Sequence, residues 1–197
     1  MNRPDAPPSE STVRAHYADL AARYARGANK ACEAAYRELA RRTARGAESV
    51  LEIGCGSMPH IAASAAPVRV GCDFSAAMLR AAGRSIPLVQ ADGARLPFGD
   101  GTFDAVVTIN VLEHVPDPPA LLDEAARVLR TGGVLAAVTP NGNLAWLLEW
   151  LERLRLKLPE GPHRFLSQAD LRAYTPRSLT VEEHQPFLAF PAGPAWV

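Results

Sequence analysis

Five short runs rich in apolar and β-branched residues alternate along the chain with segments of helical periodicity. The runs cover residues 50–53, 68–73, 87–92, 102–110 and 133–139. Runs of this length and composition are typical of buried parallel strands. Between them, residues 74–84 and 118–130 carry apolar side chains at helical spacing, and Gly132 marks the predicted end of the second helix. This alternation predicts an α/β fold with a doubly wound, mostly parallel sheet.

The first predicted strand ends in a turn that contains Gly54 and Gly56. Glycines let a ligand approach the main chain closely, and an open α/β sheet binds its ligand outside the carboxyl ends of its strands. A dinucleotide-binding turn needs a third glycine where this chain has Pro59, and the Gly-Lys-Ser/Thr sequence of a phosphate-binding loop does not follow. The turn therefore predicts either a different ligand site or a plain connection from strand to helix.

Aspartates end the next two predicted strands, Asp73 the second and Asp92 the third. Asp73 lies about twenty residues after the first strand, the spacing at which an acidic side chain accepts hydrogen bonds from ribose hydroxyls. The amino group of adenine is also a donor that needs an acceptor. Two carboxylates at neighbouring strand ends therefore favour a nucleoside ligand.

This ordered series of motifs resembles the class I S-adenosylmethionine-dependent methyltransferases of the small-molecule type, which have a Rossmann-like sheet. The resemblance extends from about residue 50 to residue 141 and continues more weakly beyond. Each motif alone is weakly specific, but their order and spacing together match the family. In chain order the motifs are Leu51-Glu52-Ile53-Gly54-Cys55-Gly56, Asp73-Phe74-Ser75, Met78-Leu79, 91–98, Phe103-Asp104, Leu112-Glu113-His114-Val115, 124–129 and Gly132-Gly133.

The resemblance implies that S-adenosyl-L-methionine is the cofactor. Glu52, Gly54 and Gly56 would then surround the amino-acid end of the cofactor. Asp73 would hold the ribose, and Asp92 would accept a hydrogen bond from the adenine amino group. The other residues that the resemblance places near the adenine are Phe74, Met78, Gly93 and Ala94.

The glycine turn departs from the family at one position. Met58 stands where the family often has a further glycine, and Pro59 and His60 follow it. The turn is therefore expected either to be tighter or to hold the methionine end of the cofactor differently.

Two residues after the fourth predicted strand are candidates for catalysis. Methyl transfer from a sulfonium needs no nucleophilic side chain of the enzyme, but a general base helps when the acceptor is poorly ionised. His114 is the candidate base, since its ordinary pKa lies near ~6.5; alternatively it only fixes its loop through a backbone hydrogen bond. Asn110 is the candidate for orienting the acceptor and contacting the cofactor, or it satisfies the end of its own strand.

Two helical segments outside the sheet are predicted to determine the substrate. Residues 11–46 form a helical lid in which Tyr17 and Tyr24 either line the acceptor pocket or pack on the sheet. Residues 143–166 form an insertion after the fifth strand. Within it, 144–158 carries leucines at helical spacing beside Trp146 and Trp150.

The segment 144–158 is too short and too charged to span a membrane. It is expected to be a lid over an apolar acceptor, a dimer face or a peripheral membrane contact. His163 and Arg164 follow it as further candidates to face the acceptor. Each has an alternative role in binding only the loop backbone.

Composition adds boundaries and exclusions. Residues 1–10 are expected to be a disordered lead, and 11–197 a single domain with a cofactor-binding core at 47–142. Residues 167–197 would supply a C-terminal helix and edge strands, with a sixth strand at 178–185. Lys plus Arg and Asp plus Glu both total 21, so no basic field draws the protein to nucleic acid. The three cysteines show no metal-binding or disulfide spacing, and residues 1–11 lack the apolar core that a signal peptide would be expected to have.

Together these features favour a cytoplasmic enzyme, monomeric or homodimeric, without a metal. It would transfer a methyl group from S-adenosylmethionine to oxygen, nitrogen or carbon of a small, apolar or aromatic acceptor. The alternative is a protein that binds S-adenosylmethionine without transferring a methyl group, as a partner subunit or as an enzyme for another reaction. A nucleic-acid methyltransferase is less favoured. Asp117-Pro118-Pro119 is superficially similar to the Asn/Asp-Pro-Pro-aromatic motif of methyltransferases that modify DNA and RNA bases, but the aromatic residue is missing. The segment instead fits a helix N-cap followed by first-turn prolines.

Overall fold

The computed structural model describes residues 30–140 and 164–182, which form a parallel sheet flanked by helices. The strands are β1 (Ser49–Ile53), β2 (Val68–Asp73), β3 (Leu88–Gln90), β4 (Phe103–Ile109) and β5 (Leu129–Val138). The helices are α1 (Lys30–Thr43), α2 (Ala76–Ala81), α3 (Pro118–Val128) and α4 (Gln168–Tyr174), with a 3-10 helix at His60–Ala63. The predicted α/β fold is confirmed for this part of the chain.

The strands lie in the order β3-β2-β1-β4-β5, and all neighbouring pairs are parallel. From β1 the chain moves outward through β2 to β3, and then returns across β1 to continue as β4 and β5. The strand order therefore reverses between β1 and β4, where Ile53 pairs with Thr108. Open α/β sheets bind ligands in the crevice at such a reversal.

Alternate residues of β1 face two separate cores. Leu51 belongs to a core with Leu121 of α3, whereas Val50 belongs to a core with Ala40 of α1. Both β1 side chains are fully buried, and burying such a side chain contributes about 1.5–3 kcal/mol. Because side chains alternate along a strand, Glu52 extends to the same side as Val50, toward α1.

The boundary between α3 and β5 differs from the prediction. The helix ends at Val128 because Leu129 is extended (φ −78°, ψ 132°) and pairs with Phe103 of β4. Gly132 therefore lies inside β5, with φ +78°, and the prediction that it ends the helix is wrong. The positive φ accommodates a register irregularity between β4 and β5.

Three other predicted elements are shorter than expected or missing. Helix α2 begins at Ala76 because the Ser75 hydroxyl accepts a hydrogen bond from the Met78 amide, and β3 covers only three of the six predicted residues. Residues 178–182, the described part of the predicted sixth strand, are not extended sheet. The preceding chain forms a turn instead, in which the Leu179 amide donates to Pro176 O.

The loop after β3 is held in place by a pair of charged residues on α3. The Arg127 guanidinium bonds both carboxylate oxygens of Glu124 and also donates to Leu96 O and Phe98 O. Glu124 in turn accepts from the Leu96 amide at 2.9 Å. This pairing fixes residues 96–98 and thereby limits the movement of the neighbouring segment that contains Asp92.

Candidate functional site

The turn after β1 contains two glycines with different surroundings. Gly54 has φ +70°, and a Cβ added to it would lie 2.2 Å from Val111 Cγ2. Gly56 has φ +54°, and a Cβ added to it would meet no atom within 4 Å among the residues described. Gly54 is therefore required by the close packing of the two strand ends, whereas Gly56 borders open space.

Asp73 is fixed at the end of β2 beside this turn. One carboxylate oxygen accepts from the Gly56 amide at 2.9 Å and the other accepts from the Ser75 amide at 2.8 Å. The residue is only 7% exposed, and burial raises the pKa of its carboxyl, opposed by the two backbone hydrogen bonds. Each oxygen keeps a further lone pair, so the carboxylate can receive two hydroxyl donors.

Asp92 lies two residues beyond β3 and is exposed. Its Oδ1 accepts from the Ala94 amide at 2.9 Å, which leaves Oδ2 directed to no hydrogen-bond donor in the described residues. Gly93 lies between Asp92 and Ala94. A larger residue at this position would overlap the core, since an added Cβ would lie 2.8 Å from Leu121 Cδ1. Core packing by itself disfavours a larger residue at this position, while the predicted contact of Gly93 with the adenine stays a prediction.

The residues predicted to lie near adenine follow Asp73 directly. Phe74 is half-buried, and its carbonyl accepts from Gln90 Nε2 at 3.1 Å. Met78 is buried in α2 and 3% exposed. The sheet thus brings Asp73, Phe74 and the end of β3 together at one edge, while their contacts with a cofactor stay a prediction.

Glu52 bonds the 3-10 helix, an arrangement that the sequence did not indicate. It is 1% exposed, its Oε1 lies 2.7 Å from His60 Nδ1, and its Oε2 accepts from the Ile61 amide at 3.0 Å. His60 Nε2 lies 3.2 Å from Glu33 Oε2 on α1. Glu33, Glu52 and His60 thus form a chain of polar contacts from α1 to β1, which we call the imidazole bridge.

Asn110 is the one residue other than glycine with positive φ in the described part of the chain, at φ 53°. Its Nδ2 donates to the Tyr36 hydroxyl at 3.2 Å, and its backbone amide donates to Val138 O. Tyr36 also contacts the His60 ring edge to face, with the centroids 5.6 Å apart. Asn110 thus bonds the end of the neighbouring strand through its backbone and α1 through its side chain. The contact with Tyr36 was not predicted from the sequence.

A helical spacing could have indicated Tyr36. It lies three residues after Glu33, so the two side chains share one face of α1. Nothing in the sequence shows that this face meets His60, because the contact joins residues 27 positions apart.

His114 lies on a buried segment after β4 and is 8% exposed. Its backbone amide donates to Val111 O, and its Nε2 is 3.9 Å from Glu113 Oε1. Glu113 accepts from Thr139 Oγ1 at 2.9 Å through its side chain and from the Arg164 amide at 2.8 Å through its carbonyl. These bonds hold the ends of β4 and β5 together with the start of the segment that leads to α4. A base role for His114 stays a prediction.

Most of the predicted acceptor-facing residues lie outside the described ranges. These are Tyr17, Tyr24, Trp146, Trp150 and His163. Arg164 is described and half-buried, and its backbone bond to Glu113 places it at the carboxyl edge of the sheet.

Comparison with known proteins identifies relatives of the central part of the chain. Residues 51–137 match a family described as a methyltransferase domain. A demethylmenaquinone methyltransferase from Mycolicibacterium paratuberculosis is 37% identical over 131 residues, which are 64% of this chain and 57% of the relative. The same enzyme from Mycolicibacterium vanbaalenii is 40% identical over 124 residues, or 61% and 54% of the two chains. The match therefore spans little more than half the length of these relatives.

Solved structures agree with this result. A Thermotoga maritima methyltransferase described as a possible histamine N-methyltransferase superposes with a TM-score of 0.64 at 20% identity, covering 82% of this chain and 78% of that one. The YcgJ protein of Bacillus subtilis superposes with a TM-score of 0.58 at 25% identity, covering 72% and 66%. The central part of the chain, residues 51–137, is therefore a methyltransferase domain.

The site in this domain fits S-adenosylmethionine, the cofactor that the sequence resemblance implies. Asp73 presents a fixed, buried carboxylate to a diol, and Gly56 leaves open space in front of the turn. Ser57 follows Gly56 with a buried hydroxyl that has no hydrogen-bond partner among residues 30–140 and 164–182. Such an orphaned polar group is what a polar ligand would satisfy.

Two other kinds of site are absent from the described residues. No helix there is long and apolar enough to cross a membrane. Within the same ranges, no group of three His, Cys, Asp or Glu side chains is arranged to hold a metal ion. Cys55 and Cys72 are buried as predicted, and burial raises the pKa of the Cys72 thiol to about 12.

Proposed function

We propose that this methyltransferase transfers a methyl group from S-adenosylmethionine to a small, apolar or aromatic acceptor. The observation that carries the proposal is the Asp73 carboxylate at the end of β2, held by the Gly56 and Ser75 amides next to the strand-order reversal. A buried carboxylate is unfavourable unless it is bonded, and its remaining lone pairs match a ribose diol.

The residues around Asp73 would hold the rest of the cofactor. Asp92 Oδ2 would accept from the adenine amino group, and Phe74 would lie against the ring. The Ser57 hydroxyl and the open side of Gly56 would border the methionine end. Glu52 would act there indirectly, since both of its oxygens contact the 3-10 helix.

When bound, S-adenosylmethionine would supply an activated methyl group: the acceptor atom would bond to the methyl carbon as the carbon–sulfur bond breaks, with S-adenosylhomocysteine as the leaving group. The chain then has to bind, align and shield the reactants, and alignment of this kind can lower a barrier by about 7–11 kcal/mol. Asn110 would orient the acceptor beside the turn. His114 would take a proton from an acceptor that is not already ionised.

The names of the relatives support this acceptor class. Their name states that they methylate demethylmenaquinone, which is an apolar quinone. We propose an apolar ring acceptor of this general kind, held between the carboxyl edge of the sheet and the helical segments on either side of the core.

Label transfer from methyl-tritiated S-adenosylmethionine tests the reaction. The acceptor panel contains a naphthoquinol without the ring methyl group, a simple phenol and a primary amine. We expect label in the quinol or phenol product and little in the amine. Tight cofactor binding without label in any acceptor would instead identify a binding protein that does not methylate.

Calorimetry with S-adenosylhomocysteine tests the binding residues separately. In Asp73→Asn, an amide NH2 replaces one accepting oxygen, so we expect affinity to fall about tenfold or more, since bonds to charged groups contribute about 1.5–3 kcal/mol. Asp92→Asn makes the same change at an exposed residue that does not support the fold. Asp123→Asn on the exposed face of α3 is the matched control and should bind like wild type. Unchanged affinity in both site variants would contradict the proposal.

A further inference from the structure

We propose that His60, as an imidazolium, is a positioning residue that attaches α1 to the cofactor turn and so sets the turn for S-adenosylmethionine. The inference rests on the proposed function, since it adds a residue to the same site. His60 belongs to none of the motifs by which the sequence resembles its family.

The geometry of the imidazole bridge requires a proton on both ring nitrogens. Nδ1 faces Glu52 Oε1 at 2.7 Å, and Nε2 faces Glu33 Oε2 at 3.2 Å. A neutral imidazole has one N–H donor and one lone pair, so one of its nitrogens would repel a carboxylate. Only the imidazolium donates to both.

The surroundings of His60 favour this charged state. Its side chain and that of Glu33 are 11% and 16% exposed, and Glu52 is 1% exposed, so water screens the contacts little. Burial alone would lower the pKa of His60, but hydrogen bonds to Glu33 and Glu52, and the charges of both, raise it to about 9.

Other charged and titratable groups around His60 come from α1 and β2. On α1, Tyr36 packs its ring against the imidazole and Arg37 is exposed to solvent. On β2, Arg69 donates to Ala62 O and Ser64 O at the far end of the 3-10 helix, and Asp73 adds negative charge near Glu52. The two carboxylates in direct contact therefore determine the charge of His60.

The bridge encloses the cofactor turn. Glu52 precedes Gly54 by two residues and His60 follows Gly56 by four, so their contact closes a short loop that contains both glycines. Glu33 anchors this loop to α1, and the Tyr36–Asn110 hydrogen bond joins the same helix to the end of β4. Helix α1 thus contacts the site from both sides of the reversal point.

The first test measures the attachment of α1 without any cofactor. Hydrogen exchange is compared for wild type, His60→Gln and Glu33→Gln, with Glu38→Gln as the matched control. Glu38 lies on the same helix and pairs only with the exposed Arg41 among the described residues. We expect faster exchange of amides 34–43 in His60→Gln and Glu33→Gln, and wild-type exchange in Glu38→Gln.

The second test follows the affinity for S-adenosylhomocysteine with pH. We expect wild-type affinity to be constant at neutral pH and to fall about tenfold as the pH rises through about 9, where His60 loses its proton. His60→Gln should show the weaker affinity throughout, without this transition. Glu33→Gln should move the transition to lower pH, and Glu38→Gln should leave it in place.

The outcomes separate this inference from the proposed function. Wild-type affinity and pH profile in His60→Gln would overturn the positioning role, even if Asp73→Asn weakens binding as expected. A His60 ring signal that titrates near pH 6.5 by NMR would overturn the imidazolium. Absence of binding by wild type would overturn the proposed function, and the positioning role would fall with it.

Discussion

At the scale of single residues, a comparison of Gly54 with Gly83 shows why only glycine fits in the turn after β1. Gly54 and Gly83 have φ +70° and +74°, but only Gly54 faces a side chain, with Val111 Cγ2 2.2 Å from an added Cβ. An added Cβ at Gly83 would meet nothing within 4 Å in the described part of the structure. A substitution at Gly83 therefore introduces backbone strain alone, whereas a substitution at Gly54 introduces both backbone strain and steric overlap.

We expect Gly83→Ala to lower the free energy of unfolding by about 1–2 kcal/mol, the cost of a left-handed conformation for an L-residue. Gly54→Ala carries the same cost and adds overpacking of about 1–3 kcal/mol. Urea denaturation of both variants measures the difference. Equal losses would show that Val111 moves aside and that the two strand ends do not restrict position 54.

Residue identities near the cofactor could be predicted where chemistry and motif coincide, and not where a contact depends on packing. Asp73 and Gly56 were predicted because they match the order and spacing of the family motifs, and the structure joins them by a hydrogen bond, while their contacts with the cofactor stay a prediction. Glu33 and His60 were not, since each is an ordinary polar residue until α1 docks beside the 3-10 helix.

At the scale of elements, helix α3 positions the loop between β3 and β4, which precedes the helix in the chain. Arg127 donates from Nε and both terminal nitrogens, to the Glu124 carboxylate and to backbone oxygens of residues 96 and 98. Only a planar, forked side chain can make these bonds at once. The loop between β3 and β4 is therefore fixed from outside the sheet.

Arg127→Lys keeps the charge but loses the fork, so we expect a loss of about 1–2 kcal/mol in the free energy of unfolding. Arg130→Lys is the matched control because the exposed Arg130 side chain forms one ion pair among the described residues, with the half-buried Asp104, that a lysine can replace. Thermal or urea unfolding should show a clearly smaller loss in the control. A loss in Arg130→Lys as large as that in Arg127→Lys would mean that charge alone holds the loop.

The elements themselves followed from the sequence except at their ends. Leu129 continues the apolar stripe of α3, so the helical periodicity predicted a helix to residue 130. In the structure Leu129 pairs with Phe103 and therefore belongs to β5. The described part of the predicted strand at 178–185 is not sheet, because residues 176–179 form a turn in which the Leu179 amide donates to Pro176 O. Boundaries of this kind depend on tertiary contacts that periodicity does not contain.

At the scale of the whole molecule, the imidazole bridge makes stability depend on pH. An unfolded histidine titrates near pH 6.5, whereas His60 in the folded protein does so near pH 9. The folded state therefore holds this proton more tightly. The resulting stability is fully present below pH 6.5 and is lost as the pH rises through about 9.

We expect the wild-type free energy of unfolding to fall over this range by up to about 3 kcal/mol more than that of His60→Gln. Urea titrations of both proteins at matched pH values give the difference directly. Glu38→Gln should follow wild type, because its exposed ion pair with Arg41 does not touch His60. Parallel curves for wild type and His60→Gln would show that the imidazole is neutral in the folded protein.

The loop closed by Glu52 and His60 also has an entropic consequence. A free turn rich in glycine samples many conformations, and a ligand that selects one of them loses affinity in doing so. Here the contact between residues 52 and 60 restricts those conformations during folding, when α1 packs against the sheet. The turn meets its ligand already ordered, so the binding energy of the ligand is not spent on organising the backbone that receives it.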